Sequence, residues 1–357
     1  MPAAEVTHPG ARALARSFRL PLGTTGVFVG VLAAVCLLSL GTGAAGLPVW
    51  GVARELLDSL PFVAVDSGLS DRQATILLQL RLPRVVLGGM VGASLAVAGA
   101  GYQGVFRNPL ADPFLLGIAA GAGLGASVAF VFDIDVALGP FGSVQLLAFV
   151  GALVAVAMAM TIGRAAPGQT ASLLLAGIAS ASFFTALQTL LLSRDITAQR
   201  SILAWLFGTL ITANWERVGI VGFYLAICGG VLFVLRRQLD VLRVGESEAL
   251  TLGAQPHRIR LIVIIASSLL TAAAVSVSGL IAFVGLVVPH AVRLVAGSSY
   301  RAVVPLSAIG GAAFLIAADW LSRTVISPAE VGIGVITAFV GAPFFAVLLW
   351  RSRAGAL

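Results

Sequence analysis

Ten apolar stretches, each about as long as the roughly 20 residues a helix needs to cross the hydrocarbon layer of a bilayer, follow one another along the chain. They cover residues 27–47, 85–106, 114–132, 144–162, 173–192, 218–235, 261–277, 281–295, 303–321 and 331–350. The connections between them are short, and only 10% of the 357 residues are charged. Backbone amides and carbonyls find no partner in lipid, so a spanning segment must satisfy them inside a helix or a closed barrel. The alternation of apolar and polar residues that marks barrel strands is missing from the sequence. The expected fold is all-α: a polytopic integral membrane protein with about ten transmembrane helices, and no part large or polar enough to be a separate soluble enzyme.

Gly117, Gly121 and Gly125 recur at intervals of four, a spacing that lets helix backbones approach closely, and ordinary helix packing is preferred to a dedicated dimer seam. Cys36 and Cys228 lie inside apolar runs with no Cys or His at ligand spacing, so they read as small core residues and no metal site is expected. All 22 basic residues are arginines. A phosphate-cradling GxxxxGK[ST] loop requires a lysine, so any nucleotide energy must come from another polypeptide. The net charge of +7 is scattered between apolar runs, which argues for topology signals and against a nucleic-acid surface.

Arg12, Arg16 and Arg19 precede the first apolar run, which is too long for a secretion signal and reads as a retained first span. Placing both termini in the cytoplasm puts fourteen arginines on the inner side and eight on the outer, in line with the positive-inside rule. Two connections exceed a turn: an outer one at 48–84 and an inner one at 236–260. The inner one reads RRQLDVLRVGESEALTLGAQPHRIR, with Leu239, Leu242, Ala249, Leu250 and Leu252 interleaved with charge, as in short amphipathic helices. Its mixed charge, with Asp240, Glu246 and Glu248 among arginines, favours a protein partner over a lipid surface.

Arg81-Leu-Pro-Arg84 is followed by Gln103-Gly-Val-Phe-Arg-Asn-Pro-Leu-Ala-Asp-Pro113 and Leu116-Gly-Ile118. Later come LGAQ ending at Gln255, Gly279-Leu-Ile-Ala-Phe-Val-Gly-Leu-Val-Val-Pro-His290, Arg293, Pro305, Asp319, Arg323, Glu330 and Gly341-Ala-Pro-Phe344. In order and spacing, from Arg81 to Leu349, this resembles the FecCD family of permeases of ATP-binding-cassette importers. The resemblance implies a transport subunit, not an enzyme, that moves a ferric siderophore or haem across the bacterial inner membrane by alternating access, with cobalamin as the alternative cargo. It further implies a second permease chain, most simply a homodimer, two ATPase subunits carrying ATP and Mg, and an extracytoplasmic binding protein. No cofactor is expected on this chain. The scarcity of charge at membrane depth counts against a stand-alone ion-coupled transporter, and no HExxH, GxSxG or paired intramembrane carboxylates suggest a membrane enzyme.

Carried over residue by residue, the resemblance places the coupling to the ATPase in loop 237–258, at Leu239, Asp240, Leu242, Gly245, Glu246, Ala249, Leu252 and Gly253. It places docking of the binding protein at Arg81, Arg84 and Arg323, although Asp319 and Arg323, at i and i+4, can equally pair with each other. A cytoplasmic gate falls at Asn108, Thr170 and Ala171, where Asn108-Pro109 can also serve simply to end a helix. His290 is expected to cap a helix or touch a loop. The domain plan is a cytoplasmic tail 1–26, one permease domain 27–350 and a tail 351–357. The chain departs from the family pattern at Glu330-Val-Gly332, where a proline is usual and the last span is expected to start more loosely, and at Ser299-Tyr300 in place of Asp-His.

Overall fold

The computed structural model describes residues 22–43, 46–59, 65–136, 141–164 and 169–354; the N-terminal arginines lie outside these. Fourteen helices carry the fold among the described residues, with no strand. They are α1 (Leu22–Gly41), α2 (Val49–Asp58), α3 (Asp71–Val105), α4 (Ile118–Val131), α5 (Ser143–Arg164), α6 (Gln169–Arg194) and α7 (Ile196–Leu206), followed by α8 (Trp215–Val234), α9 (Arg236–Leu242), α10 (Glu246–Thr251), α11 (Pro256–Ser278), α12 (Val284–Ala296), α13 (Tyr300–Thr324) and α14 (Ile333–Ala354). Each of the ten apolar stretches has most of its described residues on one helix; α2, α7, α9 and α10 are the additional, shorter ones.

The connection expected at 48–84 is half helix. A capping box formed by Ser70 and Gln73 starts α3 at Asp71, well before the apolar run. Pro83 is accommodated because residues Ile76–Arg81 form a π-turn just ahead of it, so the missing proline N–H falls where the bonding register is already shifted.

Helix α3 is the axle of the bundle, almost wholly buried and packed on α8, α11, α12 and α13. Its glycines make these crossings possible. A Cβ on Gly92 would collide with the Gly311 carbonyl of α13, and one on Gly99 with the Gly285 carbonyl of α12. Helices α4 and α5 meet the same way, Gly121 against Gly151 and Gly125 against the Leu147 carbonyl, so two members of the small-residue ladder pack inside the chain. Lipid supplies no hydrophobic drive between helices, and close backbone contact replaces it. Tyr102 and Ser268 add a buried hydroxyl pair at 2.6 Å between α3 and α11.

Helices α4 and α12 have 14 and 13 residues, about 20 Å of rise, too short to cross roughly 30 Å of hydrocarbon alone. Irregular backbone completes each crossing. Residues 113–116 form a 3₁₀ turn ahead of Gly117 (φ 81°) and α4, while Gly279 and Phe283 (φ 71° and 69°) bracket the non-helical lead into α12. Such backbone is tolerated in a membrane only where protein covers it. Here Thr209 N–H donates to the Ser278 carbonyl, Ile333 N–H to Gly208 and Gly334 N–H to Phe207, stitching 207–209, 278–283 and 333–334 into one seam.

Candidate functional site

The first cluster of charge sits where α1 and α13 end and α3 passes through Arg81 and Arg84. Arg84 directs Nε and Nη2 at Asp319 Oδ1 (3.0 and 2.8 Å), and its Nη1 and Nη2 reach Glu330 (3.0 and 2.7 Å). Arg323 approaches the same Asp319 at 3.2 Å and donates to Ser39 Oγ of α1 at 2.6 Å. The Asp319 side chain is 2% exposed, and Arg84 and Arg323 are 14% and 15% exposed, so four charges share one nearly closed network. The i, i+4 pair suggested by the sequence exists, and Arg84 and Glu330 complete it from 235 residues upstream and 11 downstream of Asp319. Arg81 donates to the Leu40 carbonyl at 2.6 Å and lies against Gly43. Glu330 is thus tied to α3, and Val331 N–H to the Ser322 carbonyl, so the entry to α14 is held without a proline.

The second cluster lies at the opposite end, where α3 and α12 finish and α13 starts. Arg293 donates to Gln103 Oε1 and, at 3.2 Å, to Tyr300 OH, while Gln103 Nε2 donates to the Gly285 carbonyl. Arg243, just past α9, donates to Ser298 through both its carbonyl (2.8 Å) and hydroxyl (2.9 Å). Asp240 accepts from Ser299 Oγ and from Tyr300 N–H, both at 2.7 Å, which gives the Ser299-Tyr300 departure its role: it clamps α9 to the start of α13. Arg107, held in the left-handed region (φ 48°), reaches Glu246 of α10 only at 3.9 Å, and Arg260 meets the same carboxylate at 3.4 Å. The exposed Glu248 carboxyl is held below its usual range, first by its own backbone N–H and the Ser247 hydroxyl and more weakly by Arg107.

Among the residues assigned to coupling, the structure separates two groups. Leu239, Leu242 and Ala249 are buried against the bundle, Leu239 beside Gly104 and Tyr300, whereas Leu252 and Gly253 are exposed. Val244 and Leu250, 60% and 59% exposed, join Leu252 as an apolar tip that the coupling assignment omitted. Their signal was in the sequence, as apolar residues out of phase with the buried ones. Of the gate positions, Asn108 is exposed and its Oδ1 accepts from Leu110 N–H at 2.9 Å, a local turn. Ala171 is exposed near the start of α6, and the Thr170 side chain lies outside the described residues. His290 makes no capping hydrogen bond among the described residues, since neither ring nitrogen has a partner there; its ring lies edge-on to Phe344 of α14, centroids 6.0 Å apart. An apolar cavity of about 620 Å³ opens between the mid-depth seam and α14, walled by Phe207, Leu280, Val335, Phe339 and Pro343. No group of three or more potential metal ligands occurs among the described residues.

Residues 31–351 match the model of the FecCD transport family. The chain is 42% identical over 283 residues to the cobalamin import system permease protein BtuC of Halobacterium salinarum, covering 79% of this chain and 75% of that one. It is 40% identical over 292 residues to the hemin transport system permease protein HmuU of Yersinia pestis, covering 81% and 87%. Among solved structures it superposes with a TM-score of 0.79 and 29% identity on an inward-facing ABC transporter of metal-chelate type, covering 91% of this chain and 97% of that one.

Proposed function

We propose, for a chain that belongs to the FecCD transport family, the import of an iron chelate, a ferric siderophore or haem, through a membrane permease powered by separate ATPase subunits. The chain is the permease subunit of an ABC importer, and the family match across residues 31–351, from within the first span to the end of the last, is the observation that carries the reading. Cobalamin is the second reading, favoured by the 42% identity to a cobalamin permease. A bulky chelate suits a route whose walls are apolar and uncharged, such as the cavity beside Phe207 and Phe339, with the exposed faces of α6 and α14 turned to a second copy or to lipid.

In this reading residues 27–350 act as one permease domain, and both termini and the α9–α10 loop face the cytoplasm of a bacterium. There Val244, Leu250 and Leu252 enter an ATPase that holds ATP and Mg, while the buried Leu239, Leu242 and Ala249 pass its movement to α3 and α13. Asn108, Thr170 and Ala171 are assigned to the gate on that side. The Arg84 end faces outward to an extracytoplasmic binding protein, with Arg81, Arg84 and Arg323 offering guanidinium edges to its carboxylates.

Reconstitution with the ATPase encoded beside it tests this. Uptake of the labelled chelate should require ATP and stop when that ATPase loses its catalytic glutamate; uptake by the permease alone would sink the reading. Docking is tested separately with Arg81→Glu. Arg84→Glu would set a third carboxylate against Asp319 and Glu330 and disturb the fold itself. Arg81→Glu should weaken capture of the binding protein by about tenfold, measured by surface plasmon resonance, and undiminished capture removes the assignment.

A further inference from the structure

The cluster at the α9–α10 end contains more cationic donors than the chain uses. A cavity of about 250 Å³ is lined by Gln103, Arg107, Pro109, Arg243, Arg293 and Tyr300, together with Gly104 and Ser298, and no carboxylate lines it. Each guanidinium offers five N–H groups. Arg293 places two on neutral oxygens, of Gln103 and Tyr300, and Arg243 two on Ser298. Arg107 meets Glu246 at 3.9 Å, beyond hydrogen-bond range, and acts on Glu248 through charge alone. The neighbouring carboxylates are committed elsewhere: Asp240 to Ser299 and Tyr300 N–H, 3.8 Å from Arg243, Glu246 to Arg260, and Glu248 to its own backbone N–H and the Ser247 hydroxyl.

Three arginines therefore line, from three separate segments, one hollow whose neutral lining includes two buried side chains, Gln103 and Tyr300 with its phenol hydroxyl. We infer that this hollow binds a phosphate group. A carboxylate carries two oxygens in one plane, whereas a phosphate presents its oxygens in tetrahedral directions and can accept from guanidinium groups that do not share a plane, which suits donors supplied by three separate segments. A phosphate there would tie the 107–109 loop to the end of α9 and to α12, whereas the ion pair of Arg107 is long and runs to Glu246 of α10. The same chemistry is offered by free inorganic phosphate and by the headgroup of an anionic phospholipid.

The experiment uses the full chain. Inorganic phosphate is titrated by phosphorus NMR into protein in uncharged detergent, and native mass spectrometry follows lipid retained from phosphatidylglycerol–phosphatidylcholine nanodiscs. The test variant is Arg107→Gln combined with Arg243→Gln, side chains 40% and 43% exposed, so the bundle should keep its fold, with thermal unfolding as the check. Binding of phosphate that falls about tenfold or more in the variant supports the site with the free ion as ligand. Selective retention of phosphatidylglycerol, lost in the variant while phosphate alone does not bind, supports it with the lipid headgroup as ligand. Equal binding by both proteins, or no binding of either probe, overturns the inference.

Discussion

The two arginine clusters are built from the same parts and are finished differently. At the Arg84 end, Arg84 and Arg323 face Asp319 and Glu330, every charge has an opposite within 3.2 Å, and Asp319 is closed off from solvent. At the α9–α10 end, Arg293 and Arg243 rest on neutral oxygens, Arg107 has a distant partner, and a hollow lies between them. A closed network fixes elements in one arrangement; one with spare donors and exposed side chains can gain and release contacts. The first reads as a fastener of α1, α3, α13 and the α14 entry, the second as a joint.

That contrast can be broken most forcefully at Asp319. Asp319→Ala leaves Arg323 without its carboxylate and Arg84 with Glu330 alone in a largely buried site, and should cost about 3–5 kcal/mol, seen as a lowered unfolding midpoint in detergent; a loss below about 1 kcal/mol would mean the network is solvated. Next comes the crossing that makes both clusters one body. Gly92→Ala forces α3 away from the Gly311 carbonyl and should cost about 1–3 kcal/mol in the same assay, with both ends loosening together in hydrogen exchange. Arg243→Gln, by contrast, should change stability by less than about 1 kcal/mol, because its partners stay in reach of water.

The smallest effect is on acidity. Glu248 has a depressed carboxyl pKa, so its contribution to α10 is complete above the ordinary glutamate range and is lost only as pH falls through its lower folded value. Amide exchange at the start of α10 should quicken on acidification there, with no matching change beside Asp319; a simultaneous change at both ends would erase the distinction.

The ten spans were legible because hydropathy over some 20 residues is a strong signal that survives tertiary context. The α3 extension was less so, since Asp71-Arg-Gln-Ala-Thr75 is polar and only the Ser70–Gln73 capping box announces a helix. The Asp319–Arg323 pair was readable as i, i+4, but nothing local links either residue to Arg84, which the fold brings in from 235 positions away. Loop 237–258 reads as an amphipathic stretch, yet which apolar residues face inward depends on the kink at Gly245 (φ 133°) between α9 and α10, which resets the phase. His290 followed the motif into α12, where Phe344, a tertiary neighbour, sets its surroundings.

Arg84 and Gln103 stand on one continuous helix 19 positions apart, which at about 1.5 Å per residue separates the two clusters by roughly 29 Å, close to the thickness of a hydrocarbon layer. That stretch of the rod is therefore held at both limits, and slipping vertically by a single turn would pull Arg84 from its carboxylates or Gln103 from Arg293. Its depth in the lipid is thereby gauged by its own chemistry, and thickening the surrounding acyl chains would be felt as tilt along α3.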